Sequence, residues 1–178
     1  MKLIPTLLAL FALSVSTLAQ VSGPPFLDPN EPNLQDRLDA LAPCEDGWSR
    51  DMDCLAAWVQ EWEIDIANAK ATAKAAWLSE HARHRAELQN ILAAEIATLQ
   101  AVAECLAAAE TPEQIEECES VAEAMAEYYT DQRAAERARN NAAKAAITTA
   151  YNAEVGLADL SLSLCAALCC VEDPLWVK

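Results

Sequence analysis

From Asp51 to Glu110 the chain contains neither glycine nor proline, and after Pro112 it meets only Gly156 before Pro174. These two residue types break helices most readily, Pro by removing an amide donor and clashing with the preceding turn, Gly through its backbone entropy. A run of about 60 residues without them, starting at Ser49 or Asp51 and rich in Ala, Glu and Leu, predicts a helix about 90 Å long. Between the two long runs, "ETPEQ" marks the turn. Thr111 stands as the N-cap, Pro112 at the first helical position and Gln114 three residues after the cap, where its side chain can return to the cap backbone. A second helix is predicted from Pro112 to about Cys170, with Pro174 preventing continuation.

Both helices carry apolar positions spaced by threes and fours. On the first they are Leu55, Val59, Trp62, Ile66, Ala69, Ala73, Ala76, Leu88, Leu92, Leu99, Val102 and Leu106. On the second they are Val121, Met125, Tyr128, Ala135, Ala142, Ala146, Ala153, Leu157, Leu160, Leu164 and Leu168. A period near 3.5 residues is that of a coiled coil, and the Ala content lets two backbones approach closely. The expected fold is all-α: a long antiparallel two-helix hairpin over residues 33–171. The alternative is a four-helix up-down bundle, with the long helices broken near Ser79 and near Asn140 and Asn141.

The seven cysteines bear on this choice. In an antiparallel pair, facing residues have position numbers that add to a constant, and Cys105 with Cys118 satisfies the same constant as Cys54 with Cys169. Cys165, Cys169 and Cys170 are too close together on one helix to bridge each other well. They must look to Cys44 and Cys54 at the other end of the chain. The expected bonds are Cys105–Cys118, Cys54–Cys169, and Cys44 with Cys170 or Cys165, the leftover cysteine being a buried thiol or an intermolecular link. A local Cys44–Cys54 bond across the Gly47 loop is the competing scheme, and it would leave the C-terminal trio as free thiols.

Disulfides need an oxidising compartment, and the N-terminus points the same way. Residues 1–19, "MKLIPTLLALFALSVSTLA", place a Lys before an apolar stretch and a small residue at the end, the layout of a cleaved signal peptide. The apolar stretch is short of the roughly 20 residues of a membrane span. A secreted or periplasmic protein is therefore expected, with no membrane insertion of the mature chain. No cysteine follows the cleavage point to carry a lipid, and there is no Asn-x-Ser/Thr sequon. Residues 20–32, rich in Pro and Gly, read as an extended lead-in. Asn33 caps a short helix carrying Leu34, Leu38 and Leu41 and stopped by Pro43. A loop around Gly47 follows, and residues 172–178 form a C-terminal tail. Trp48, Trp58, Trp62 and Trp176 are expected to form an aromatic cluster where the chain ends meet.

The formal charge is −16, and losing residues 1–19 removes Lys2 and no acid. Such a surface repels nucleic acid and anionic membrane. One basic belt interrupts it, Arg83 and Arg85 lying across from Arg133, Arg137, Arg139 and Lys144, and it is a candidate docking site for an acidic protein. His81 and His84, three residues apart with Glu80 and Glu87 near, are a candidate metal pair. Both lie too far along the helix to share a site with the C-terminal cysteines. Nothing resembles a nucleophile elbow, a phosphate loop or a catalytic triad, and no cofactor is implied. The expectation is a structural or interaction protein, not an enzyme. It is a spacer or binding surface whose partner is another protein or a second copy, since Ile64, Trp77, Leu78, Ile91 and Ile96 lie off the main stripes and need cover. An extracytoplasmic metal- or small-ligand-binding protein is the alternative.

Overall fold

The structure, a computed structural model, describes residues 33–172. The expected signal peptide, the lead-in, Pro174 and Trp176 lie outside the described residues. Five elements follow in order: α1 (Leu34–Asp39), β1 (Trp48–Arg50), α2 (Met52–Ala108), α3 (Pro112–Leu168) and β2 (Cys170–Glu172). The described chain is all-α in character, dominated by α2 and α3, which are 57 residues each and in contact. At 1.5 Å per residue each is about 85 Å long. Both continue unbroken through Ser79 and through Asn140 and Asn141.

Local chemistry fixes where these helices begin. The Asp51 carboxylate accepts from the N–H groups of Asp53 and Cys54 at 2.9 and 3.1 Å, which satisfies two of the free amides at the start of α2. Its own N–H donates to the Cys169 carbonyl at 2.8 Å, so the residue just before α2 is bonded to the residue just after α3. At the opposite end the reciprocal cap forms. Thr111 Oγ1 accepts from the Gln114 N–H at 3.3 Å, and Gln114 Oε1 accepts from the N–H groups of Thr111 and Glu110 at 3.1 and 2.7 Å.

β1 and β2 occupy stretches read from the sequence as loop and helix end. They pair antiparallel, Trp48 opposite Glu172 and Arg50 opposite Cys170. Chain segments leaving two adjacent helix ends carry unpaired amides and carbonyls, and here they satisfy each other. Gly47, at φ 86°, makes the turn into β1 in the left-handed region that glycine tolerates. α1 ends at Asp39, so Leu41 lies beyond it, and α3 ends at Leu168 rather than at Cys170.

The seam between α2 and α3 corrects the second apolar stripe. Leu157, Leu160, Leu164 and Leu168, with Val121 and Tyr128, are exposed, as are Ala135, Ala142, Ala146 and Ala153. The buried face of α3 is instead Cys118, Tyr129, Glu136, Asn140, Tyr151, Ala158, Leu162 and Ala166. Five of these, Cys118, Tyr129, Asn140, Tyr151 and Leu162, recur every eleven residues. That spacing is 3.67 residues per turn, close to an undistorted helix, so α3 keeps one face on α2 without the left-handed winding a seven-residue repeat imposes. The first stripe is nearer the mark, with Leu55, Trp62, Ala69, Ala73 and Val102 buried. Ala76 and Leu92 are exposed, and their neighbours Trp77 and Ile91, expected off the seam, are buried in it.

Apolar burial concentrates towards the disulfide-rich end. Trp62, Ala158 and Leu162 pack with Leu34, Trp58, Val59 and Ile66, and a second cluster holds Ala69, Ala73, Trp77 and Tyr151 with Ile147 and Val155. Trp48 is exposed on β1 and does not share in the burial expected of it. Arg37 anchors α1 to α3 through Asp159 at 2.7 Å, and Trp62 donates its indole N–H to the same carboxylate at 2.9 Å.

Gly156 lies inside α3 with nothing within 4 Å of where a Cβ would stand. A mid-helix glycine costs about 0.5–1 kcal/mol relative to alanine when nothing requires it. Gly156→Ala is expected to raise stability by about that amount in urea unfolding followed by circular dichroism.

Candidate functional site: a charged layer between the long helices

Halfway along the pair, the Ala-rich seam is interrupted by charge. Glu136 on α3 is buried, with 5 % of its side chain exposed, and receives three hydrogen bonds from α2. Arg83 donates through Nη1 at 3.2 Å and Nη2 at 2.8 Å, a two-pronged contact that fixes orientation as well as distance, and His84 Nδ1 lies 2.8 Å from Oε1. Arg83 also reaches back one turn to Glu80, through Nε at 2.8 Å and Nη2 at 2.6 Å. A buried carboxylate is tolerated only when its lone pairs are satisfied, and here they are.

The electrostatics follow from these contacts. Burial by itself would raise the Glu136 pKa, but the hydrogen bonds from Arg83 and His84 outweigh it and hold the carboxyl below its ordinary 4.5. Glu80 is lowered too, chiefly by its hydrogen bond to Arg83. Arg83 is held still more firmly protonated by Glu80 and then Glu136. The His81 pKa falls below 6.5, first through burial and then through the positive charges of Arg85, Lys144 and His84. Asn140, one turn beyond Glu136, is also buried, and its Oδ1 makes no hydrogen bond among the described residues.

This arrangement divides the expected basic belt. Arg83 is held between two carboxylates, and Arg133 on α3 is paired with Glu95 on α2. Lys144 lies half-buried with its Nζ 4.8 Å from the centre of the Trp77 ring, a cation–π contact. Arg85, Arg137 and Arg139 keep exposed side chains. The charge available to an acidic partner is therefore that of three arginines rather than of six basic residues. The two histidines do not converge: His84 turns its Nδ1 to Glu136, whereas His81 Nε2 lies 3.5 Å from Arg85. Among the described residues no group of three or more His, Cys, Asp or Glu side chains is placed to hold a metal ion.

The cysteines occupy both ends of the pair. Cys105 bonds to Cys118 beside the Thr111 turn, and Cys54 to Cys169 and Cys44 to Cys170 at the other end. Of the two partners open to Cys44, the structure takes Cys170, next to the strand pairing. Cys165 is free and half-buried. A crevice beside Trp58, Trp62, Ala158 and Leu162 holds about 10 Å³, room for one water molecule and not for a substrate.

Sequence reasoning missed Glu136, Glu95 and Asn140 because it sought apolar residues on the inner face. The eleven-residue spacing from Tyr129 to Tyr151 would have placed Asn140 inward and Glu136 one turn before it. Chemically the layer holds two helices in register and offers no open ligand position or nucleophile. It also makes stability depend on pH. Glu136 and Glu80 contribute stability that is full above their ordinary 4.5 and lost as pH falls through their lowered folded-state values. His81 acts in the same direction below 6.5. Glu136→Gln is expected to cost about 1–3 kcal/mol at pH 7. Its unfolding curve should begin to converge with the native one as pH drops below 4.5 and meet it only below the lowered folded-state value, where the native carboxyl is protonated as well.

Comparison with known proteins finds no matching family model, no similar curated protein and no similar solved structure, so any function must be argued from these residues themselves.

Proposed function

We propose that this chain is a secreted or periplasmic structural protein. It acts as a disulfide-stapled helical hairpin, a stiff spacer that presents protein-binding surfaces and associates with itself. The observation that carries this reading is the placement of the three disulfides. One sits beside the turn and two sit at the far end, so covalent bonds clamp both ends of a layer only two helices thick. Three intramolecular disulfides are consistent with an extracytoplasmic location.

A membrane role is less well supported. α2 is long enough, and holds a stretch apolar enough, to cross a bilayer by length and composition alone. Yet Cys105–Cys118 ties the turn end of α2 to the start of α3, where Glu116, Glu117, Glu119, Glu123 and Glu127 would have to enter the bilayer alongside it. Carboxylates at that depth cost about 2.5–3.5 kcal/mol each. The mid-seam charges point the same way as the disulfides, since a polar layer that fixes register suits a protein whose product is its shape.

Small-angle scattering tests the spacer reading. At a concentration where the mass is that of one chain, the expected maximum dimension is about 85–95 Å, set by 57-residue helices. A value near 45 Å, the length of helices half as long, would instead require the four-helix bundle.

A further inference from the structure

α3 is apolar on two faces, and only one of them is covered. The inner face rests on α2 through Tyr151, Ala158, Leu162 and Ala166. The outer face carries Leu157, Leu160, Leu164 and Leu168, which are 67, 55, 62 and 77 % exposed. A helix that is apolar on both sides belongs between two neighbours. The two faces also differ in period. The inner one repeats every eleven residues, whereas Ala150, Ala153, Leu157, Leu160 and Leu164 step by three and four, the spacing of a coiled-coil seam.

Charge identifies what covers it. Residues 145–171 hold two acids and no base, and one of the two, Asp159, is already engaged by Arg37 and Trp62. Elsewhere the chain is strongly acidic: residues 86–132 contain eleven acids and no Lys, Arg or His. Two copies of so acidic a protein can touch over a neutral patch without like-charge repulsion, and this seam is one. The same distribution sets direction. A parallel pair would lay the two acidic turn ends side by side, whereas an antiparallel pair sends them to opposite ends.

We infer that the outer face of α3 is a self-association seam, through which two copies pair antiparallel with Leu157 of one against Leu164 of the other. In that register Ala153 meets Leu168, and the two copies of Leu160 flank the two-fold axis. A small side chain there faces a large one, which suits interdigitation. From Ala150 to Leu168 the seam is about 28 Å long and one helix diameter wide, so each copy contributes on the order of 300 Å². The total of about 600 Å² is below the roughly 1,000 Å² of a stable specific interface and implies a weak dimer that forms only with rising concentration. This inference rests on the spacer reading above.

Sedimentation equilibrium and small-angle scattering on the secreted, oxidised chain test it. The native protein is expected to pass from one to two chains in mass as concentration rises. The maximum dimension of the dimer should be about 145 Å, because the turn ends point apart. Leu160→Glu with Leu164→Glu should hold the mass at one chain with unchanged helical circular dichroism, since both side chains are exposed in the monomer. If that variant unfolds, Leu160→Gln with Leu164→Gln replaces it, glutamine being a good helix former. A native chain that stays monomeric, or a folded variant that still dimerises, overturns the seam. A dimer of about 90 Å overturns the antiparallel pairing. Binding of a monomeric native chain to phosphatidylcholine vesicles would assign the leucines to a lipid surface instead. A monomeric variant of about 45 Å would sink the spacer reading itself, so the two failures are distinguishable.

Discussion

Two helices in contact can enclose few side chains, and this limit governs the rest of the structure. Most residues on the seam of α2 and α3 remain partly open on a flank, and near-complete enclosure is reached only at a few positions such as Leu162 and Ala166. Burial therefore falls mainly to small residues such as Ala69, Ala73, Ala158 and Ala166 and to a few large ones that span the seam, Trp62, Trp77, Tyr129 and Tyr151. Ordering the backbone costs about 1–2 kcal/mol per residue, and apolar burial returns only about 25 cal/mol per Å². A layer this thin needs help from outside the hydrophobic effect. Disulfides supply it by restricting the unfolded chain, typically by about 2–4 kcal/mol each. Cys44–Cys170 and Cys54–Cys169 span 126 and 115 residues and close almost the same loop, so their entropic contributions overlap. The second bond at that end holds the strand pair and the loop before it.

An alanine seam raises a second problem, that of register. Sliding one Ala-rich face past another by a turn changes few contacts, so packing alone discriminates weakly between alignments. Polar groups discriminate strongly, because a slipped alignment leaves them buried without partners. The Arg83–Glu136–His84 layer, the Arg133–Glu95 pair and the Thr98–Tyr129 hydrogen bond at 2.8 Å each exist in one alignment only. They are spaced along the half of the seam that lies between the disulfide bonded near the turn and the aromatic clusters. The buried ion pair is better understood as specifying alignment than as adding stability, since charges removed from water recover little net free energy by pairing.

What could be read from the sequence divides along the same line. The turn at Thr111–Gln114, the lengths of the two helices and the cap at Asn33 follow from short-range chemistry and are visible in the order of residues. The inner face of α3 was not visible, because hydrophobicity marks any face that leaves water, whether it meets a helix of the same chain or something else. Leu157, Leu160, Leu164 and Leu168 outscore Tyr151, Ala158, Leu162 and Ala166 in apolar character yet point outward. Glu136 and Asn140, on the inward face, broke the pattern being sought. The strands β1 and β2 were equally hidden, since three-residue strands arise from where two helix ends leave the chain rather than from the residues within them.

The alignment of the two helices is the claim on which everything else rests, and its covalent record can be read directly. A non-reducing peptide map of the protein made in an oxidising compartment should contain Cys44 joined to Cys170, Cys54 to Cys169 and Cys105 to Cys118, with Cys165 free. A map with Cys44 joined to Cys54 and the C-terminal cysteines unpaired would contradict it, because no covalent bond would then hold the end of α3 to the start of α2.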